Sequence, residues 1–255
     1  MPPRVIAVAN CKGGSLKTTT AVNLAQALRD QGQSVLVVDM DEQCNATTAL
    51  GGTHDGGAPD VLSVIMRQAT LDDAETTTPG GVGLVPATHE LGHVDAYFSK
   101  KPGLHGILRT SLQASGRPYD YVLIDCPGSM NNMTLTALAA STEILVPVAS
   151  GSMELEAVFR FEQHLQESVD LLNPEARINH ILVGRVELNQ IADNDVLRAL
   201  RGQYPDETMV TVIPKSVRVT ESYSALCPVV TYAPTSKPAF AFNDAAKELH
   251  RRTQK

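Results

Sequence analysis

The sequence contains no tryptophan, and aromatic residues make up only 4% of its 255 positions. Alanine, valine and leucine supply most of its apolar side chains, a composition that suits helices packed against a buried parallel sheet. No apolar run is long enough to span a bilayer, and no apolar signal region opens the chain. We therefore expect a soluble protein of the cytoplasm that forms one α/β domain over residues 1–255.

Closely spaced cysteines and an excess of basic residues are also missing. The four cysteines lie far apart and form no Cys-x-x-Cys pair. This spacing favours reduced thiols over a metal site. The formal net charge of −7 at pH 7 argues against a nucleic-acid-binding surface that covers the whole protein, but it is compatible with a local basic patch.

Apolar runs typical of buried strands alternate with helical patterns along the chain. Strands are predicted over residues 5–9, 34–38, 82–86, 121–124, 143–148, 180–186 and 208–213. Helices are predicted directly after the first strand and over residues 154–172, 193–201 and 238–252, and a flexible segment over residues 72–81. This alternation predicts a doubly wound, mainly parallel sheet with helices on both faces.

A glycine-rich segment separates the first strand from the first helix, and its residues are Lys12, Gly13, Gly14, Ser15, Leu16, Lys17, Thr18 and Thr19. A loop that opens onto a helix N-terminus offers unpaired backbone N–H groups and the positive end of a dipole, which attract phosphate. Lys17 is placed to reach the terminal phosphates of a nucleotide, and the Thr18 hydroxyl to coordinate Mg²⁺. The segment therefore predicts a binding site for a nucleoside triphosphate.

The loop departs from the pattern G-x-x-x-x-G-K-[ST] at both glycines, because Cys11 and Leu16 stand in their places. If position 16 requires a left-handed backbone, leucine there costs about 1–2 kcal/mol. A cost of that size would weaken binding about tenfold if it fell on binding. A glycine-rich turn without a ligand is disfavoured because strand, Gly-Gly, Lys-Thr and helix occur together in the expected order.

Two further strands end in acidic segments. Asp39 and Asp41 follow the strand that ends at residue 38, and Asp125 follows the one that ends at residue 124. Nucleotide hydrolases use carboxylates at such positions to hold Mg²⁺ or its water. Each aspartate alone would be a cap or turn residue, but ligands of open parallel sheets bind at the carboxyl ends of the strands. Together with Lys17 and Thr18, these carboxylates predict one site at that edge.

These segments resemble the ParA/Soj family of partition ATPases, a group of the deviant Walker A P-loop NTPases that also include MinD. The matching segments are residues 12–20, 39–47, 120–127 and 212–218, so the resemblance extends over essentially the whole chain. It implies an ATPase for chromosome or plasmid partition that binds ATP and Mg²⁺, dimerises with ATP and binds duplex DNA non-specifically. It also implies stimulation by a ParB-like partner and association with the nucleoid.

The resemblance assigns roles to individual residues. Lys12 matches the signature lysine that reaches the partner subunit's phosphates, Lys17 the lysine that binds the β- and γ-phosphates, and Asp41 the carboxylate that activates water. The implied metal-site residues are Thr18, Asp39 and Asp125. Pro214 matches a segment that lines the adenine pocket. Lys215 and Arg218 are candidate DNA contacts, and Arg218 matches the family segment best.

Three further interpretations stay open. A MinD-like ATPase would dock on a membrane through an apolar face of its C-terminal helix, but residues 247–255 contain a single leucine. A metabolic ligase on the same fold is disfavoured by the partition-like segment 212–218. An ATP-binding protein with little or no hydrolysis would follow if Leu16 crowded the phosphates. Few residues precede the first strand, so we expect no N-terminal helix-turn-helix domain.

Overall fold

The computed structural model describes residues 2–53, 57–98, 103–151, 154–169, 172–187 and 189–252. Strands in this part of the chain form one eight-stranded sheet. They are β1 (Arg4–Val8), β2 (Val35–Asp39), β3 (Thr76–Thr77), β4 (Gly83–Val85), β5 (Tyr121–Asp125), β6 (Glu143–Ala149), β7 (Ile178–Val186) and β8 (Thr208–Pro214). Their order is β3-β4-β2-β5-β1-β6-β7-β8. Every neighbouring pair is parallel except β3 with β4.

Helices connect most of these strands. They are α1 (Lys17–Asp30), α2 (Asn45–Ala49), α3 (Val61–Ile65), α4 (Leu71–Ala74), α5 (Asp95–Phe98), α6 (Ile107–Ala114), α7 (Asn132–Ala140), α8 (Glu154–Val169), α9 (Ile191–Gln203), α10 (Val217–Ser224), α11 (Val229–Tyr232) and α12 (Lys237–Arg252). Short 3₁₀ helices cover His89–His93 and Leu104–Gly106. None of these helices combines the length and the apolar character that a membrane crossing requires.

The sheet is buried on both faces, as the sequence predicts. Along β1, Ile6 and Val8 belong to one apolar core, and Val5 and Ala7 belong to the other, because successive side chains of a strand point to opposite faces. The first core is closed by α1, α2, α11 and α12, and the second by α3–α9. The doubly wound, mainly parallel architecture is therefore confirmed.

Two local predictions differ from the structure in part. Residues 72–81, predicted to be flexible, include the end of α4 and the whole of β3. The α4 helix begins with a capping box, in which the Thr70 and Asp73 side chains bond each other's backbone N–H groups. The helix predicted over residues 154–172 is described to Val169, and residues 170–171 lie outside the described part.

A crevice opens between the neighbouring strands β1 and β5. The chain leaves β1 into α1, which packs in one core through Leu24, and leaves β5 into α7, which packs in the other core through Ala137. A parallel sheet binds ligands where consecutive connections turn to opposite faces. The predicted phosphate-binding segment follows β1, and the predicted carboxylates Asp39 and Asp125 end β2 and β5, so these residues lie at the carboxyl ends of neighbouring strands.

Candidate functional site

The loop between β1 and α1 is fixed at its start by Asn10. The Asn10 side-chain amide donates to the Pro147 carbonyl on β6 at 2.9 Å, and its Oδ1 accepts from the Lys12 N–H at 3.0 Å. Further along, Gly14 and Leu16 both have left-handed backbones, with φ of 73° and 70°. The condition stated for position 16 is therefore met, because leucine occupies a backbone conformation that favours glycine.

Lys17 is the first residue of α1 and its side chain is largely buried, with 8% of the residue exposed. Its ammonium donates to the Lys12 carbonyl at 3.4 Å and to Ser15 Oγ at 3.5 Å. A Cβ on Gly128, in the loop after β5, would lie 3.8 Å from the same nitrogen. The ammonium thus lies between the loop after β1 and the loop after β5, and its hydrogen bonds are long and weak.

Thr18 and Asp125 meet across the crevice. The Thr18 hydroxyl donates to Asp125 Oδ2 at 2.7 Å. Asp125 is fully buried, and its Oδ1 has no hydrogen-bond partner in the described part of the chain. Burial, and after it the neighbouring Asp39 carboxylate, raise the pKa of Asp125 well above its usual value.

These atoms fit a magnesium site completed by a nucleotide. Mg²⁺ is bound in proteins through one or two carboxylates or hydroxyls, together with substrate phosphates and waters. The described residues contain no group of three or more histidine, cysteine, aspartate or glutamate side chains that could hold a metal ion alone. The buried free oxygen of Asp125 beside the Thr18 hydroxyl is the kind of donor set that requires phosphate oxygens to complete it.

Asp39 lies beside Asp125 on the adjacent strand, in register with it. Asp39 Oδ2 accepts hydrogen bonds from the Thr47 N–H and hydroxyl, both at 2.8 Å, and Oδ1 accepts from the Asp41 N–H at 3.1 Å. Burial raises the pKa of Asp39, although these hydrogen bonds act in the opposite direction. Since both oxygens are engaged, this carboxylate holds the acidic loop in place.

Asp41 extends from that loop towards Lys17. It is partly exposed, and its Oδ1 accepts from the Gln43 N–H at 3.0 Å. Burial raises the pKa of Asp41, and the charge of Lys17 opposes the rise. The structure therefore brings five of the predicted residues together: Lys17, Thr18, Asp39, Asp41 and Asp125.

Lys12 has a partner that the sequence did not indicate. Its ammonium forms an ion pair with Glu154 Oε1, at the N-terminus of α8. The Glu154 residue is 3% exposed, and its Oε2 has no hydrogen-bond partner among the described residues. The two residues are separated by 142 positions, so no local pattern could have predicted the pair.

The remaining predicted residues lie at the end of β8. Pro214 is the last residue of β8 and shares a cavity of about 490 Å³ with Leu16. Lys215 forms an ion pair with Glu187 at 3.0 Å, and Arg218 forms one with Glu221 at 2.8 Å. Both cationic side chains are more than half exposed.

A loop with a buried lysine and a threonine between β1 and α1, facing carboxylates at the ends of β2 and β5, defines a P-loop nucleotide-binding protein. The profile of a family described as AAA domain matches residues 3–178. The chain is 33% identical over 251 residues to the chromosome partitioning protein ParA of Caulobacter vibrioides, covering 97% of this chain and 94% of that one. It is 36% identical over 251 residues to the chromosome-partitioning ATPase Soj of Thermus thermophilus, covering 98% and 97%.

A solved structure is similar as well. Cobyrinic acid a,c-diamide synthase from Mycobacterium smegmatis, with a bound ATP analogue and magnesium, superposes with a TM-score of 0.86 and 28% identity. The superposition covers 99% of this chain and 96% of the synthase. The chain belongs to the ParA/Soj family of P-loop partition ATPases.

Proposed function

We propose that this protein, as a single ParA-like domain over residues 1–255, is an ATPase for chromosome or plasmid partition. With ATP and Mg²⁺ it forms a homodimer that binds duplex DNA of the nucleoid in the cytoplasm without sequence preference, and a ParB-like partner stimulates hydrolysis. The observation that supports this most is the meeting of Lys17, Thr18 and Asp125 in the crevice between β1 and β5. The names of the Caulobacter and Thermus relatives point to the same process.

In this proposal the loop binds the polyphosphate. The two hydrogen bonds of the Lys17 ammonium, at 3.4 and 3.5 Å, are weak enough for β- and γ-phosphate oxygens to replace them with shorter, charge-assisted bonds. The N–H groups of residues 12–19 surround the same phosphates. The Thr18 hydroxyl and Asp125 would hold Mg²⁺, and Asp39 on the adjacent strand would support this site. When bound, the ion stabilises charge on the phosphoryl group.

Asp41 orients the water that attacks the terminal phosphate. A general base must be close to the reacting group and must have a proton affinity suited to accepting a proton. Asp41 faces Lys17, and burial raises the pKa of its carboxyl. Asp39 fixes the backbone of Asp41 through the hydrogen bond at 3.1 Å.

Lys12 couples nucleotide binding to dimerisation. In the single chain its ammonium is held by the buried Glu154 carboxylate. In the dimer it would leave Glu154 and reach the phosphates bound to the partner subunit. The ATP-bound dimer is then favoured because phosphates offer this ammonium more negative charge than one carboxylate does.

Lys215 and Arg218 contact DNA phosphates. Their ion pairs with Glu187 and Glu221 are exposed, and exposed pairs contribute only about 0–1 kcal/mol. DNA phosphates can therefore replace the glutamates at little cost. By the resemblance to partition ATPases, Asn189 stands where relatives often carry an arginine implicated in DNA binding, so that contact is missing or moved in this chain.

A metabolic ligase is the second candidate, because the structure superposes on cobyrinic acid a,c-diamide synthase. The identity to that enzyme is 28%, compared with 33% and 36% to the two partition proteins over similar coverage. An ATP-binding protein with little hydrolysis is the third candidate, and a MinD-like ATPase that acts on membranes is the fourth. All of them differ from a partition ATPase in their response to DNA.

The deciding experiment is co-sedimentation with duplex DNA in the presence of ATP, ADP or no nucleotide, at about 50 and 200 mM salt. We expect binding with ATP only, and strong weakening at the higher salt concentration, since phosphate contacts release counterions. Lys17→Ala should abolish both nucleotide binding and DNA binding. DNA binding that is the same with ATP, ADP and no nucleotide, or no DNA binding at all, would reject the proposed role in partition.

A pair of arginine variants tests the DNA surface. Arg218→Ala should weaken DNA binding at every salt concentration and reduce the slope of log K against log salt by about 1. Arg198→Ala is the matched control, because Arg198 is also exposed and also pairs with a carboxylate three residues away. Equal effects of the two substitutions would show that only overall charge matters.

A further inference from the structure

Leu16 stands where the phosphate-loop pattern has glycine, and its backbone is left-handed, with φ of 70° and ψ of 20°. This conformation is strained for every residue with a Cβ atom. We therefore looked for the contacts of the Leu16 side chain that could compensate for this backbone strain.

The Leu16 side chain lies against Gly184 on β7. A Cβ atom built on Gly184 would lie 2.5 Å from Leu16 Cδ1 and 3.9 Å from Leu16 Cγ. The first distance is shorter than any ordinary contact, so only a glycine at position 184 leaves room for the leucine as it is placed. The next neighbour of that Cβ would be Ile213 Cβ on β8, at 3.8 Å. The Leu16 side chain therefore packs directly against Gly184.

Leu16 also forms part of the wall of the 490 Å³ cavity beside the phosphate loop. The apolar part of this wall includes residues of the loop, β7, β8 and α10, among them Leu16, Gly184, Ile213, Pro214, Val217 and Val219. The volume lies within the range of small-ligand sites, which are lined mainly by apolar groups. Thr19 and Thr20 of α1 also line the cavity, so it adjoins the predicted phosphate-binding segment directly.

We propose that Leu16 is an apolar contact for the nucleobase of the bound nucleotide, and that Gly184 holds it in the required position. This inference rests on the proposed phosphate site, since a nucleotide whose phosphates bind at residues 12–18 extends from there into the adjoining cavity. Leu16 thereby links the phosphate loop to the base pocket, and it contributes to affinity through the nucleoside rather than through the phosphates.

The test compares a ligand that has a base with one that lacks it. Dissociation constants for ATP and for inorganic tripolyphosphate, both with Mg²⁺, are measured by calorimetry for the wild type, Leu16→Gly, Gly184→Ala and the double variant. Leu16→Gly should weaken ATP binding about tenfold relative to tripolyphosphate binding, because a buried leucine contact is lost. Gly184→Ala should give a similar selective loss of ATP affinity, because the new methyl group occupies the space of the Leu16 side chain and displaces it.

The double variant supplies the internal control. Once Leu16 is absent, the methyl group at position 184 has nothing to displace, so adding Gly184→Ala to Leu16→Gly should change neither dissociation constant further. Additive losses would overturn the inference. So would equal changes for the two ligands, or a selective gain in ATP affinity in Leu16→Gly, which would mean that the leucine obstructs the base. A wild type that binds neither ligand would instead refute the proposed nucleotide site.

Discussion

Carboxylates lie at both ends of the parallel strands, buried at the carboxyl edge of the sheet and partly buried at the amino edge, and their surroundings differ. At the carboxyl edge, Asp39 and Asp125 lie side by side, and burial raises the pKa of both. At the amino edge, burial alone would raise the pKa of Glu143, but hydrogen bonds and charge from His180 and Arg4 lower it to about 2. At the carboxyl edge one oxygen of Asp125 has no partner among the described residues, whereas at the amino edge both oxygens of Glu143 are paired.

The contacts explain this difference. The Arg4 guanidinium donates to both oxygens of Glu143, at 2.7 and 2.5 Å, and His180 Nε2 lies 2.7 Å from Oε2. Asp125, in contrast, has only the neutral Thr18 hydroxyl on one oxygen and no partner on the other within the described chain. Buried carboxylates without compensating partners at one edge are typical of a functional site, where a bound cation or ligand compensates the charge. The amino edge serves stability instead.

Asp125→Asn should have the largest effect on activity. The substitution removes a buried charge next to Asp39, so the melting temperature of the nucleotide-free protein should rise by about 2–4 °C. ATP hydrolysis with Mg²⁺ should fall about 100-fold, because the support of the metal ion is lost. Differential scanning fluorimetry and a phosphate-release assay measure the two effects. A lower melting temperature would contradict the comparison between the edges.

Glu143→Gln should show the opposite pattern. It removes the negative charge that faces the Arg4 guanidinium and His180, and breaking such a partly buried pair should lower the free energy of unfolding by about 3 kcal/mol. Urea denaturation measures this change. Affinity for ATP should stay at the wild-type value, because Glu143 lies at the other edge of the sheet. A loss of ATP affinity in folded protein would show that the two edges are coupled.

The depressed pKa of Glu143 also predicts how the stability of the protein depends on pH in acid. The pKa of Glu143 falls from 4.5 in an ordinary peptide to about 2 in the folded protein. A group with a depressed folded pKa contributes its full stability above the unfolded pKa and loses it as the pH falls towards the folded pKa. The difference in unfolding free energy between wild type and Glu143→Gln should therefore shrink between pH 4.5 and about 2. A difference that stays constant over this range would refute the assignment of the shift to this network.

Much of this arrangement could be predicted from the sequence, because buried parallel strands are continuous apolar runs. All seven predicted strands were found, and the turn chemistry placed Lys17, Thr18, Asp39, Asp41 and Asp125 at one edge. The α7 helix was missed because seven of its nine residues are buried, so it lacks the alternation of apolar and polar faces that reveals a helix. β3 has only two residues, too few for any pattern.

The contacts that make the site particular to this chain could not be predicted. Gly184 shows no turn signal, and its importance comes from the leucine that lies against it. Glu154 has the sequence character of an ordinary acidic residue in the first turn of a helix. Both pairings join distant parts of the chain, and only the folded structure brings them together.

Glu154→Gln should give the smallest effect, and it tests whether the poorly compensated edge also controls assembly. Glu154 holds Lys12 with one oxygen, and its other oxygen has no partner in the described residues. Neutralising it should release the Lys12 ammonium for the partner subunit, so the ATP-bound dimer should form at about fivefold lower protein concentration. Sedimentation equilibrium with a non-hydrolysable ATP analogue measures this. Glu156→Gln is the matched control, because Glu156 lies on the same helix and pairs with the exposed Arg160. Weaker dimerisation of Glu154→Gln alone would mean that Glu154 supports the dimer and does not restrain Lys12.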